Sequence, residues 1–332
     1  MKCTNKKNLF FVLFACFLIT AGIAAYVLFF RSHEATLQLP FDKTNTTFGF
    51  EKVPLEDGLS VSFAADLCVA RNDVPLDGLS LMAASAGLFD ETNKEVIYAK
   101  ALHEKRYPAS LTKIMTALVA IKYGNLDDIV TVGEECKNIE MGSSVAEIHV
   151  GDQLSLRKLL YGLMINSGND AAMTIALHIG GSVDGFVDLM NKEAARIGAT
   201  NTHFTNTHGL QDENHYTTAY DTYLMFHEAI KNEEFLEMIH KHSYYAEFKD
   251  ALGEDRGVMW ESTNHYFINQ ATPPSNVLVF GGKTGTTDLA GACLILYSMD
   301  KYGDPFIAII MKEDSKDLLY QEMNELLSKI NK

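Results

Sequence analysis

The spacing of apolar and polar residues divides most of the chain into a helical middle flanked by strands. From Leu79 on, "LMAASAGLFDETNKEVIYAK" predicts two strands, Ala83 to Phe89 and Val96 to Lys100, with Asp90, Thr92 and Asn93 in the turn between them. After Pro108 the apolar positions recur at helical spacing, predicting a helix from Ser110 to about Lys122. "VGDQLSLRKLLYGLMINSGNDAAMTIALHIGG" predicts two more, Ser155 to Met164 and Asp170 to Ile179, the second ended by Gly180 and Gly181. Residues 183–197 and 217–231 keep the helical period. Beyond Asn276 the pattern becomes that of strands: "VLVFGGKTGTT", "GACLILYSM" and "FIAIIMKE", the last two joined as a hairpin through "DKYGDP". Residues 316–330 predict a closing helix. Strands at both ends with helices between them predict an α/β (α+β) fold. One antiparallel sheet is expected from the two ends of the chain, flanked by helices, with a helical region inserted.

The first residues follow another pattern. Lys2, Lys6 and Lys7 precede 22 uncharged residues, "LFFVLFACFLITAGIAAYVLFF", at 9–30. A membrane-spanning helix needs about 20 apolar residues, whereas the core of a cleavable signal peptide has ~7–15. The lysines before the span place the N-terminus in the cytoplasm. The expected organisation is a cytoplasmic tail at 1–8, a transmembrane signal-anchor at 9–30, an extracytoplasmic stalk at 31–75 and a globular domain at 76–332. That makes a single-pass protein of the cell membrane with its globular part outside. Two alternatives stay open. Cleavage near Ala24 or Ala25 would release a secreted protein, and "LFAC" ending at Cys16 resembles a poor lipobox.

A net charge of -15 argues against nucleic acid and against anionic membrane surfaces as partners reached through bulk charge. Of the five cysteines, Cys68, Cys136 and Cys293 lie outside the N-terminal segment, far apart and without a CxxC spacing. Buried free thiols are expected, with neither disulfides nor a zinc knuckle.

Three short stretches carry candidate chemistry. Ser110 and Lys113 share a face one turn apart at a helix start, where the helix dipole favours a developing oxyanion. A lysine with its ordinary pKa of ~10.4 is a poor base, so Lys113 must be desolvated or lie near another cation to serve as one. The plain alternative is a capping serine and a surface lysine. Ser167-Gly168-Asn169 offers a hydroxyl and an amide in a turn between helices, where turn formers are also common. Lys283-Thr284-Gly285 brings a second cation and a hydroxyl on a strand, where an edge lysine would be equally ordinary.

Together and in this order, the three stretches resemble the serine acyl-transferases that bind penicillin. "RYPASLTKIMTALVA", "GSSVAEIHVGDQLSLRKLLYGLMINSGNDAA", "FTNTHGLQDENHYTTAYD" and "GGKTGTTDLAGACL" extend the likeness, which covers about residues 80–330, to the low-molecular-weight D-alanyl-D-alanine carboxypeptidases. The resemblance implies a penicillin-binding, β-lactamase-like transpeptidase fold and a catalytic domain. The activity implied is removal of the terminal D-alanine from peptidoglycan stem peptides through an acyl-enzyme on Ser110, with β-lactams as covalent inhibitors and no metal or cofactor. It assigns Lys113 as general base, Ser167 as proton relay, Asn169 and Lys283 as supporting catalytic groups, and Thr284, Gly285 and Thr286 as substrate-binding residues. The backbone N–H groups of Ser110 and Thr286 would form the oxyanion hole. Many members bind the substrate carboxylate with an arginine after the last strand; "MKEDSKDLLYQEM" has none, leaving Lys312 or Lys316. The β-rich C-terminal domain and amphipathic anchor usual in the family have no counterpart, so the N-terminal span is expected to anchor the chain.

Other readings are a serine β-lactamase, which lacks a Glu-x-x-Leu-Asn stretch here, and a non-catalytic scaffold of the same fold. His203, His208, His215 and Asp221 invite a zinc site, but their spacing matches no compact ligand pattern, so a structural loop is expected. Trp260 and the Tyr244-Tyr245 pair are expected to pack.

Overall fold

The two ends of the folded chain meet in one sheet. The computed structural model describes residues 64–330 except Asn138 and Met141. Strands β1 (Ser85–Asp90) and β2 (Glu95–Lys100) come early; β7 (Val277–Thr287), β8 (Gly291–Asp300) and β9 (Pro305–Glu313) come late. They form an antiparallel sheet in the order β2-β1-β9-β8-β7. The joint between the ends is β1 on β9, from Ser85 opposite Met311 to Asp90 opposite Phe306. Asp90 also makes the first turn, accepting the N–H groups of Thr92 and Asn93 at 2.9 and 2.8 Å.

Between these strands run α1 (Thr112–Tyr123), α2 (Leu156–Met164), α3 (Asn169–Gly180), α4 (Val183–Arg196), α5 (Ala219–Ala229) and α6 (Glu233–His240); α7 (Lys316–Leu327) closes the chain. β8 and β9 read as unbroken apolar runs because both faces of the sheet are covered. Cys293, Ile295, Ile307, Ile309 and Met311 join the core shared with the helical region. Their neighbours Leu294, Leu296, Phe306, Ala308 and Ile310 join a second core with Leu319, Met323 and Leu326 of α7. α1 is the central helix: every residue from Thr112 to Ala120 is buried, and Lys113 goes into the interior with it.

A second sheet was not foreseen. β3 (Ile129–Thr131), β4 (Gln153–Ser155), β5 (Ser243–Lys249) and β6 (Asp255–Glu261) pair in that order. β3 and β4 are too short to show a period, and in the β5–β6 hairpin the exposed apolar residues Tyr245 and Met259 mask an otherwise regular alternation. One face of that hairpin buries Ala246, Phe248, Val258 and Trp260, while Tyr245 and Met259 stay exposed. Trp260 is fully enclosed and donates its indole N–H to the Ala146 carbonyl at 2.8 Å. Tyr244 stacks on Tyr161 at 4.2 Å.

The expected tail, the expected span at 9–30 and most of the expected stalk lie outside the described residues. The last part of that stalk is packed on the domain. Cys68 is buried and its N–H donates to the Tyr223 hydroxyl at 2.9 Å, while Val74 bridges to Ala99. The folded unit therefore starts before residue 76. Cys68, Cys136 and Cys293 are buried free thiols.

Replacing Trp260 by Ala should cost about 3–5 kcal/mol through the cavity and the lost hydrogen bond. Tyr245→Ala on the open face of the same hairpin should cost about 0.5 kcal/mol. Urea unfolding followed by circular dichroism measures both; equal losses would contradict the assigned faces.

Candidate active site

Ser110 does not lie on the α-helix itself. It occupies a 3₁₀ turn, Ala109–Leu111, and α1 begins at Thr112. The expected helix start is therefore tightened by one turn, with Pro108 leading in. Ala109 takes the left-handed conformation, φ +47°, rare for a residue with a side chain. Thr112 Oγ1 donates to the Ala109 carbonyl at 2.8 Å, and His215 Nε2 lies 2.8 Å from Thr112 Oγ1. The Thr205 N–H donates to His215 Nδ1 at 3.0 Å, so Nε2 carries the ring hydrogen and donates to Thr112. Burial pushes the His215 pKa down to about 4, which keeps this tautomer neutral. A side chain at Gly209 would place its Cβ 1.8 Å from the Ala109 carbonyl oxygen, so only glycine lets the loop after His208 reach this turn.

That loop also completes the surroundings of Lys113. The Lys113 amine lies 2.9 Å from Ser110 Oγ, 2.7 Å from Asn169 Oδ1 and 2.9 Å from the His208 carbonyl oxygen. The amide oxygen and the carbonyl can only accept. A neutral amine gives one N–H to each and keeps its lone pair for the Ser110 hydroxyl proton. Burial first, and the Lys283 charge second, hold the Lys113 pKa well below its usual value, against the opposing pull of Asp170.

Ser167 and Lys283 form the second half. Lys283 Nζ lies 3.0 Å from Ser167 Oγ and donates to its neighbour's carbonyl, that of Thr284, at 2.9 Å. Burial pushes its pKa down to about 7. Ser167 has φ +59° in the turn ahead of α3. That turn is held by its surroundings: the Asn169 N–H donates to the Ser144 carbonyl at 2.9 Å, and the Asp170 carboxylate accepts the N–H groups of Ala146 and Ile148 at 2.6 and 3.2 Å. Trp260 grips Ala146 from the other side, so the unforeseen second sheet supports the turn that carries Ser167 and Asn169.

β7 lies against Ser110. A Cβ on Gly285 would sit 2.9 Å from the Ser110 backbone nitrogen, so glycine is what lets the strand approach the turn. A cavity of ≈ 100 Å³ is lined by Ser110, Ser167, Thr284, Gly285, Thr286 and, unforeseen, Thr263, His265, Tyr320 and Lys316. Thr263 and Thr284 share a hydroxyl–hydroxyl bond, and the His265 ring stacks on Tyr320 of α7 at 4.4 Å. A second, open cavity of ≈ 490 Å³ meets the first at Ser110 and Thr286 and is lined by Asn169, His208 and Gln211 among others. Of the two lysines considered for a substrate carboxylate, Lys316 lines the smaller cavity and Lys312 a different one. No short-range signal in the sequence marks Thr263, His265 or Tyr320; they reach the cleft only through the packing of α7 and the β6–β7 connection.

The four residues that suggested zinc are engaged separately. His215 holds Thr112, His208 Nδ1 accepts the Leu210 N–H at 3.2 Å, the His203 ring contacts the Asn214 carbonyl at 2.7 Å, and Asp221 accepts the Asn201 N–H at 2.7 Å. Among the described residues no group of three or more His, Cys, Asp or Glu side chains is placed to hold a metal.

A serine, two buried lysines, a second serine and an asparagine, set between an antiparallel sheet and a helical region, define the penicillin-binding DD-peptidase class. The chain belongs to the D-alanyl-D-alanine carboxypeptidase family of S11 peptidases, which it matches over residues 71–315. It is 33% identical to the D-alanyl-D-alanine carboxypeptidase DacD of Escherichia coli over 280 residues, covering 81% of this chain and 67% of that one. To DacF of Bacillus subtilis it is 33% identical over 239 residues, 70% of this chain and 58% of that one. The chain thus spans about two thirds or less of these relatives' lengths. Among solved structures it is similar to the Streptomyces K15 DD-transpeptidase, with TM-score 0.71 and 28% identity over 76% of this chain and 98% of that one. It is also similar to the carboxypeptidase DacD of Francisella tularensis, with TM-score 0.64 and 28% identity over 79% of this chain and 72% of that one.

Removing the Lys283 charge, as in Lys283→Ala, takes away a repulsion that favours the neutral amine of Lys113, so the Lys113 pKa should rise. The acid limb of the penicillin acylation profile should then move to higher pH, and the rate at neutral pH should fall by roughly tenfold or more. Stopped-flow acylation across pH measures this; an unmoved limb would remove Lys283 from the tuning of Lys113.

Proposed function

We propose that this chain is a serine-type D-alanyl-D-alanine carboxypeptidase that trims peptidoglycan stem peptides ending in D-Ala-D-Ala. The observation that carries the reading is the Lys113 amine, whose two N–H groups have acceptors in Asn169 and His208 and whose third contact is the Ser110 hydroxyl. The neutral amine takes the hydroxyl proton as Ser110 Oγ attacks the carbonyl of the penultimate D-alanine. The N–H groups of Ser110 and Thr286 stabilise the tetrahedral oxyanion. The C–N bond breaks, and the leaving amine takes a proton passed from Lys113 by way of Ser167. Water then attacks the ester, and Ser110 is restored with release of the shortened peptide. The leaving D-alanine occupies the smaller cavity, its carboxylate held by the Thr284 hydroxyl and the Lys316 ammonium. The rest of the stem peptide lies in the open cavity on the far side of Ser110. A lysine is a single point charge without the fork of arginine, so recognition of the carboxylate rests more on Thr284. β-Lactams acylate Ser110 as mimics of the substrate.

The test is release of D-alanine from diacetyl-Lys-D-Ala-D-Ala. Wild type should release it equally with and without EDTA, and Ser110→Ala should lose both release and labelling by penicillin. Lys113→Ala should slow acylation by about 10²–10⁴-fold. Fast turnover of penicillin without D-alanine release would make the chain a β-lactamase, and absence of labelling would make it a scaffold.

We further propose that residues 9–30 stay attached and hold the domain outside the cell membrane. Their 22 uncharged residues and the preceding Lys2, Lys6 and Lys7 support this, and among the described residues no helix is long and apolar enough to span. Mass spectrometry of the membrane-extracted protein should find the N-terminal peptide intact; a start near residue 25 would mean cleavage and secretion.

A further inference from the structure

Lys312, which the catalytic cleft leaves unused, lines a separate cavity of ≈ 310 Å³ with Lys105, Arg106, Tyr107, Glu213 and Tyr216. Three cations and one carboxylate converge there, in a chain whose net charge is -15. Among the described residues none of the three cations forms an ion pair. The Lys105 ammonium sits 3.7 Å over the Tyr216 ring. Arg106 donates from its two terminal nitrogens to the carbonyls of Lys105 and Ala84 at 2.9 and 3.2 Å, and its Nε is buried without any partner. These bonds hold the guanidinium in place, so its charge adds to those of the two ammonium groups beside the cavity, a combination that suits carboxylates and phosphates. Lys312 holds a left-handed backbone, φ +59°, where a glycine would be unstrained. Strain retained beside a cavity is typical of binding positions.

We propose that this cavity is an anion-binding site, taking a carboxylate or phosphate carried on the wall polymer, with Tyr107 and Tyr216 packing against the polymer beside the charge. The polymer as source rests on the function proposed above; the anion chemistry does not. The segment Lys105–Tyr107 forms the wall of the cavity and leads directly into the turn that carries Ser110. The Arg106 backbone is paired both ways with Thr217, in the loop that supplies His215. A polymer held here would sit beside the catalytic turn without entering the cleft.

The test uses the full-length chain in neutral detergent, acylated beforehand with penicillin so that the Ser110 cleft is filled. Calorimetry would follow binding of a short oligomer of glutamate, a short oligomer of glycerol phosphate and a neutral glycine oligomer at physiological ionic strength. At least one anionic oligomer should bind, and which one does identifies the source. The paired variant Lys105→Glu, Lys312→Glu should weaken that binding by about tenfold or more with the penicillin acylation rate unchanged. The milder Lys105→Gln, Lys312→Gln pair, carrying no added repulsion, should weaken it less. Absence of binding, equal binding of the glycine oligomer, or full affinity in both variants would overturn the proposal. D-alanine release measured on the same preparation keeps the two readings apart, since its absence would defeat the catalytic reading alone.

Discussion

Two amines buried in one site resist carrying charge together, and the rest of the site depends on that constraint. Lys113 and Lys283 are both fully enclosed. Burial alone disfavours each cation, and the remaining charge on Lys283 disfavours that on Lys113 further. The outcome is an asymmetric pair, with Lys113 as the neutral amine and Lys283 able to hold a proton near neutrality. The asymmetry has a cost in stability. In the unfolded chain both amines titrate near 10.5, above their values in the fold. Below that pH the unfolded state takes up protons that the folded state resists, so folding loses stability near neutrality and regains it as pH rises toward 10.5.

The architecture holds this unfavourable pair in place from two sides. The sheet delivers Lys283 on β7, and the helical region delivers Lys113 on α1 and Ser167 ahead of α3. Neither half can relax without the other. Gly285 lets β7 press on the backbone of Ser110, and Gly209 lets the loop after His208 press on the carbonyl of Ala109. Two residues in left-handed conformation, Ala109 and Ser167, mark where the backbone is bent to aim the hydroxyls. Each is surrounded by short hydrogen bonds from elsewhere: His215 and Thr112 at the first, Ser144, Asp170 and Trp260 around the second. Strained turns persist when their surroundings over-determine them, and here the surroundings are the loops between helices and the small second sheet.

Two amine-bearing residues, Lys316 on the wall and Lys283 bonded to Ser167, stand at the smaller cavity. Buried carboxylates elsewhere find cations or backbone donors, as Glu193 does with Lys122 and Arg196. Among the described residues Lys105, Arg106 and Lys312 form no ion pair though they line one cavity. The catalytic cleft and the cavity at Lys312 thus both present cations, in a chain whose net charge is -15.

The sequence by itself determined the parts whose signal is local. Helical period, capping residues and turn formers specify α1 to α5 within a residue or two and α7 within three, and apolar runs of strand length specify β1, β2 and β7–β9. The order of the three short stretches, with the likeness around them, marked Ser110, Ser167, both lysines and the asparagine that the fold brings together, because a hydroxyl and an amine one turn apart are visible without a fold. Tertiary structure decided what depends on distant partners. The β5–β6 hairpin takes its identity from the face it buries against Ala146, and its exposed Tyr245 and Met259 hide the alternation. The depressed pKa of Lys113 depends on Lys283, 170 positions away, and on enclosure by a helix buried on every side. The choice between Lys312 and Lys316, four residues apart on the strand's end and the next helix, follows from which wall of the fold each one joins. Charge state and accessibility are set by all the neighbours of a group together, and those neighbours exist only once the chain has closed on itself.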